Sequence, residues 1–105
     1  MEQIRLISVR ELDTYVDRYP AVYLIDVRPE EEFRRSHIRH AVNIPYEEGI
    51  IWKLPRQKEI VVYCDRGSTS MMAARDLLKA GYRVASVSGG IMEYRGRNLV
   101  FSQYS

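Results

Sequence analysis

One cysteine, Cys64, is all the thiol this sequence has, which excludes an internal disulfide, a paired-cysteine redox centre and a cysteine-built zinc site. Redox chemistry at Cys64 would need a thiol from outside. Only two histidines are present, His37 and His40, and their spacing adds no metal cluster, so neither metal nor cofactor is expected. No stretch reaches the roughly 18 continuous apolar residues of a membrane span, and Met1-Glu2-Gln3-Ile4-Arg5 lacks the apolar core of a signal peptide. A cytoplasmic protein with no membrane partner is the expectation. A dominant charge is missing too: 16 Lys and Arg face 14 Asp and Glu, net +2, with both signs scattered along the chain. Nucleic acid is therefore not an expected partner, and Arg34-Arg35 with Arg39, like Arg95 with Arg97, read as solvated faces and helix-end charges. Repeats, low-complexity runs and linkers are also lacking. At 105 residues the chain can bury one two-sided core, so residues 1–105 read as a single domain, with 98–105 a terminal tail whose Val100-Phe101 docks on the body.

What the sequence does contain is an alternation of strand and helix patterns. Ile4 to Ile7 reads as a short strand, and Ser8 with Glu11 three residues on forms a capping box for a helix running to about Tyr15 to Arg18. Pro20 closes that connection. Ala21 to Val27 is almost wholly apolar, the pattern of a strand covered on both faces, and so reads as central. Pro29 at a first helical position, Glu30-Glu31-Glu32 in the first turn and Arg34-Arg35 in the last match the polarity of a helix dipole over about two turns. Ala41 to Ile44 reads as a strand stopped by Pro45, and Tyr46 to Leu54 as mixed loop and helix. Ile60 to Tyr63, three of them β-branched and one aromatic, read as a strand, and Met71 to Ala80 as a helix closed by Gly81. Val84 to Val87 gives a last strand, and Ile91 to Tyr94 a brief helix after Ser88-Gly89-Gly90. Such alternation predicts an α/β fold, an open, mostly parallel sheet with helices on both faces and ligand sites at the carboxyl ends of strands.

Cys64 stands at one of those ends, where a strand gives way to a glycine-containing loop and then a helix. Unpaired N–H groups and the positive end of the helix dipole favour an anion there, so the position suits a thiolate. A buried structural cysteine is the alternative, since free cysteines are among the most buried residues.

Leu24-Ile25-Asp26-Val27-Arg28-Pro29-Glu30-Glu31-Glu32-Phe33, Ser36-His37-Ile38, Ala41-Val42-Asn43-Ile44-Pro45, Val61-Val62-Tyr63-Cys64 with Gly67 and Ser70, and Val87-Ser88-Gly89-Gly90 follow one another in order. Together they resemble the single-domain form of the rhodanese family from about Ser8 to Gly96. The resemblance implies a rhodanese-like domain of five mostly parallel strands. It also implies that Cys64 accepts a sulfane sulfur as a persulfide from a small donor anion such as thiosulfate, or from a persulfide. A thiol, cyanide or a protein acceptor would then take the sulfur. By the same resemblance the substrate-binding loop runs over Asp65, Arg66, Gly67, Ser68, Thr69 and Ser70 as a cradle of main-chain N–H groups, with Gly67 permitting its sharp path. Asp26 and Arg28 are expected to organise the strand end as structural support, with Glu32 a partner for Arg28. His37 and His40 are expected to take no direct part, and Met71-Met72 to pack the helix and wall the pocket.

The sequence departs from the family pattern at four places. Thr69 stands where relatives often carry arginine, which leaves Arg66 the sole cation of the loop, and Asp65 adds a negative charge beside the thiol. Both changes oppose a dianionic donor, so thiosulfate is expected to be a poor substrate. Arg39-His40 replaces a turn that usually holds proline or glycine, and Tyr94 a frequent tryptophan; both read as surface or packing changes. Two other functions compete with sulfur transfer. A cysteine phosphatase shares the thiolate-in-cradle design but needs an arginine six residues after the cysteine, where this chain has Ser70. A non-catalytic binding module, redox sensor or sulfur carrier would use the same fold without turnover.

Overall fold

The computed structural model describes residues 3–101. Their elements are β1 (Arg5–Ile7), α1 (Val9–Asp17), β2 (Val22–Asp26), α2 (Glu30–Arg35), β3 (Ser36–Ile38), β4 (Val42–Asn43), β5 (Glu59–Tyr63), α3 (Ser68–Lys79), β6 (Val84–Val87), a 3₁₀ turn (Ile91–Glu93) and β7 (Leu99–Phe101). Five strands form a parallel sheet in the order β1-β6-β5-β2-β4. The expected α/β architecture is thus present, and β2 is an interior strand as its apolar run predicts, between β5 and β4, with β5 at the middle of the sheet. An apolar run reports burial on both faces, and β2 and β5 share that property, so the pattern alone could not rank them.

Side-chain alternation along the strands splits the core into two layers. Leu24, Val61, Tyr63, Ala85 and Val87 pack with Leu12, Tyr15 and Val16 of α1 on one face. Ile25, Val27, Ile60, Val62, Cys64 and Val84 pack with Ala73, Ala74 and Leu77 of α3 on the other. Parity therefore aims Cys64 at the α3 side, because it continues the Ile60, Val62 series one step beyond β5. The capping box opens α1 as its sequence dictates: Ser8 accepts from the Glu11 amide and Glu11 from the Ser8 amide, at 3.0 and 2.9 Å. Its apolar stripe Leu12, Tyr15, Val16 follows helical spacing. α3 begins at Ser68 rather than near Met71, and α2 at Glu30, with Pro29 as its N-cap.

Two segments differ from expectation. Residues 46–54, expected to mix loop and helix, hold no helix; the chain there is pinned by the sheet and by one tyrosine. The Tyr46 amide donates to the Val27 carbonyl at 3.0 Å, the Leu54 amide to the Tyr82 hydroxyl at 3.0 Å, and that hydroxyl to the Trp52 carbonyl at 3.2 Å. Backbone groups committed to such partners are not available for helical bonds. The C-terminal segment docks more regularly than expected: β7 pairs antiparallel with β3, Ser36 opposite Phe101 and Ile38 opposite Leu99. The rest of the expected tail, 102–105, lies outside the described residues. Tyr94 is buried, and its hydroxyl donates to Asp13 and accepts from the Asn98 amide at 2.7 Å. The phenol's polar end therefore fastens the start of this segment to α1. The Arg39-His40 turn persists without proline or glycine because His40 itself takes a positive φ of 71° and stacks on Tyr19, ring centroids 3.9 Å apart. Among the described residues no helix is long and apolar enough to cross a membrane.

Candidate active site

At the carboxyl end of β5 the chain passes through Cys64, Asp65, Arg66 and Gly67 and enters α3 at Ser68. The first amides of a helix have no partner within it, and here two turn onto sulfur. The N–H groups of Gly67 and Ser70 donate to Cys64 Sγ at 3.0 and 3.3 Å. Gly67 allows this path with φ 107°, and a Cβ there would lie 3.3 Å from the Gly89 nitrogen. Both donors and the positive end of the α3 dipole face the sulfur. Cys64 is 1% exposed, so it lies at the floor of a recess rather than on the surface.

That recess, about 160 Å³, is lined by Val27, Arg28, Pro29, Glu32, Cys64, Asp65 and Thr69. It is built from two neighbouring strand ends, β2 with α2 and β5 with α3. A shallower depression of about 490 Å³ adjoins it, sharing Arg28, Pro29 and Glu32 and adding Glu31, Arg35, Ser36 and Met92. The loop is held from behind by the turn after β6. The amides of Ile91 and Met92 donate to the carbonyls of Cys64 and Asp65 at 2.9 and 3.0 Å. Gly90 makes this approach possible, since a Cβ on it would lie 2.5 Å from the Asp65 carbonyl carbon and 2.6 Å from the Cys64 oxygen.

The loop side chains divide sharply. Asp65 lines the recess and accepts from the Arg66 amide at 2.9 Å, so one N–H of the expected cradle is already bound to a carboxylate of the loop itself. Thr69 is on the wall, whereas Arg66 and Ser68 are exposed and outside the lining. The buried Ser70 hydroxyl bonds the Gly67 carbonyl at 3.1 Å and the Ser86 hydroxyl at 2.8 Å, which ties α3 to β6. Met71 and Met72 do not line the recess; the nearby methionine is Met92, in the adjoining depression.

Asp26 and Arg28 form a buried fork. Arg28 Nε donates to the two carboxylate oxygens at 3.0 and 3.1 Å and Nη2 to one at 2.7 Å, and Nη2 also reaches the Ser36 carbonyl at 2.6 Å. Burial works against this guanidinium's charge, but the hydrogen bonds and charge of Asp26 outweigh it and hold its pKa above the ordinary value. The Asn43 amide ties the same corner together, donating to the carbonyls of Asp26 and Arg28 at 3.0 and 2.9 Å. Below it the Tyr63 hydroxyl accepts from the Ile38 amide at 3.0 Å, and burial, reinforced by Asp26, pushes that phenol's pKa up. The ion-pair partner of Arg28 is Asp26. Glu32 instead contributes to the wall, a place that sequence reasoning did not give it. The strand-end rule contained the signal, since the residues following β2 must stand beside those following β5.

The model of the rhodanese-like domain family matches residues 8–97, and the chain belongs to that family. Among curated relatives, YtwF of Bacillus subtilis (strain 168), a protein named provisionally as a sulfurtransferase, is 32% identical over 96 residues covering 90% of this chain and 93% of YtwF. The tRNA sulfurtransferase of Desulfurococcus amylolyticus is 36% identical over 72 residues, 69% of this chain but 14% of that protein. The chain spans between 14% and 34% of the length of four such longer relatives. A crystal structure of a rhodanese-related protein from Thermoplasma volcanium superposes with TM-score 0.74 at 30% identity, covering 91% of this chain and 97% of that one.

Proposed function

We propose that this chain is a sulfurtransferase that carries a sulfane sulfur from a small donor, thiosulfate or a persulfide, through a persulfide on Cys64. The observation that carries the reading is the pair of amide donors on Sγ at 3.0 and 3.3 Å, at the floor of a recess on the carboxyl edge of the sheet. In the first step the Cys64 thiolate attacks the outer sulfur of the donor and the donor's sulfur–sulfur bond breaks. The electron pair leaves with sulfite when thiosulfate is the donor, or with a thiolate when a persulfide is. In the second step a thiol, cyanide or protein nucleophile attacks the terminal sulfur, and Cys64 departs as thiolate. The Gly67 and Ser70 amides face Sγ, which carries negative charge as the attacking thiolate of the first step and again as the departing thiolate of the second, so the same fixed dipoles hold the nucleophile in one step and stabilise the leaving group in the other. Asp26 and Arg28 keep the β2 end in place and act on the chemistry only through that geometry.

A phosphatase reading finds no support, because the position six residues after the cysteine is Ser70, whose hydroxyl faces Gly67 and Ser86. The test is incubation of reduced protein with thiosulfate or polysulfide, followed by intact-mass measurement. A gain of one sulfur atom in wild type that is lost in Cys64→Ala is the expected result. If folded, reduced protein gains no sulfur from any sulfane donor, the proposal fails and a binding module is the better reading.

A further inference from the structure

Three charged side chains line the recess above Cys64: Arg28, Glu32 and Asp65. The positive one is already neutralised, since Arg28 spends its fork on Asp26 and the Ser36 carbonyl and is 7% exposed, while Asp26 is fully buried. Glu32 and Asp65 remain. Asp65 is held on the wall by the Arg66 amide, whereas the Arg66 side chain is exposed outside the recess. The adjoining depression adds one charge of each sign, Glu31 and Arg35. Inside the recess a molecule approaching the sulfur therefore meets two carboxylates, while the one cation of the lining, Arg28, is spent on Asp26.

We propose that Glu32 and Asp65 form a charge filter that selects the sulfur donor. The favoured class is an organic persulfide bearing an ammonium or guanidinium group, ahead of carboxylate-bearing persulfides and inorganic dianions such as thiosulfate. This rests on the sulfur-transfer reading above and narrows its donor. With such a donor the Cys64 thiolate bonds the outer sulfur, the S–S bond of R–S–S–H breaks, and the pair departs on R–S⁻. The donor's proton passes to that thiolate, giving R–SH and the Cys64 persulfide anion, with no external oxidant.

The experiment measures two rate ratios in wild type, Glu32→Gln, Asp65→Asn and the double variant. One ratio compares sulfur loading of Cys64 by cysteamine persulfide and by 3-mercaptopropionate persulfide, read by intact mass in single turnovers. The other compares methanethiosulfonates with an ammonium or a sulfonate end, which modify any accessible thiol. Each ratio is divided by that of a small free thiol. Wild type should favour the cationic reagent about tenfold, each single variant should lose about threefold of this, and the double variant should approach one while its thiosulfate loading rises. High salt should compress the wild-type ratio as charges are screened. A double variant that retains the wild-type ratios, or a wild-type ratio near one, overturns the filter even where sulfur loads. If the methanethiosulfonate ratios respond as expected and no persulfide loads sulfur, charge selection stands and the narrowing to a sulfur donor falls with the transfer reading.

Discussion

Gly90→Ala is the substitution that most directly tests how the Cys64 loop is held. The residue has φ 64° and ψ −170°, a region essentially reserved for glycine, and occupying it with a side chain costs about 1–3 kcal/mol. The new methyl would also stand 2.5 Å from the Asp65 carbonyl carbon and 2.6 Å from the Cys64 oxygen. Those are backbone atoms, which cannot rotate aside as a side chain could, and such overpacking adds about 1–3 kcal/mol. Separation of the two segments relieves the clash only by lengthening the bonds from Ile91 and Met92 to the carbonyls of Cys64 and Asp65. The sum, about 2–6 kcal/mol, is a large share of the roughly 5–15 kcal/mol that holds a domain folded. At about 4–8 °C per kcal/mol for a domain near this size, Tm should fall by roughly 8–48 °C. Circular dichroism gives Tm, and alkylation of Cys64 well below it reports the loop. The expected variant melts early and, while still folded, alkylates at an altered rate. If Tm moves by less than about 3 °C with the alkylation rate unchanged, the turn after β6 does not buttress the loop and the reasoning is wrong.

Arg28→Ala should destabilise by about 3–5 kcal/mol in urea titrations, because it leaves the fully buried Asp26 without its partner. Arg28→Lys should recover only part of this, since an ammonium cannot reproduce the fork, and Asp26→Asn combined with Arg28→Met should lie closer to wild type than Arg28→Ala does. Equal stability of Arg28→Ala and wild type would refute the support role. The raised pKa of the Tyr63 phenol links stability to alkaline pH. The unfolded chain releases that proton near pH 10 while the folded chain keeps it, so the contribution is full below pH 10 and declines above it, by about 1.4 kcal/mol per pH unit. Tyr63→Phe should start from a lower baseline, having lost the bond from the Ile38 amide, but show a shallower decline between pH 10 and 11. A slope identical to wild type would sink this assignment.

The parts of the fold that could be read in sequence are those whose signal is local. β2, β5 and β6 announce themselves as short apolar runs, and α1 by the reciprocal Ser8 and Glu11 bonds. β3 and β7 could not be read as a pair, because three-residue strands so far apart in the chain specify each other only through contacts formed once the sheet exists. Residues 46–54 misled for a related reason: their path is dictated by Val27 and Tyr82, which are remote in sequence. At the site, the position of Cys64 followed from strand, loop and helix in order. The direction of the Ser70 hydroxyl did not, since it depends on Ser86 lying opposite α3. Glu32 escaped notice as a wall residue because its neighbourhood is set by the pairing of β2 with β5 rather than by its own segment.

The Asp26 and Arg28 fork has a bearing on how this chain can vary. Either residue changed alone strands a charge in the interior, whereas a simultaneous exchange for a neutral pair of similar bulk does not. Positions 26 and 28 should therefore behave as one hereditary unit: in a randomised library selected for folded protein, single replacements at either should be purged while matched doubles survive.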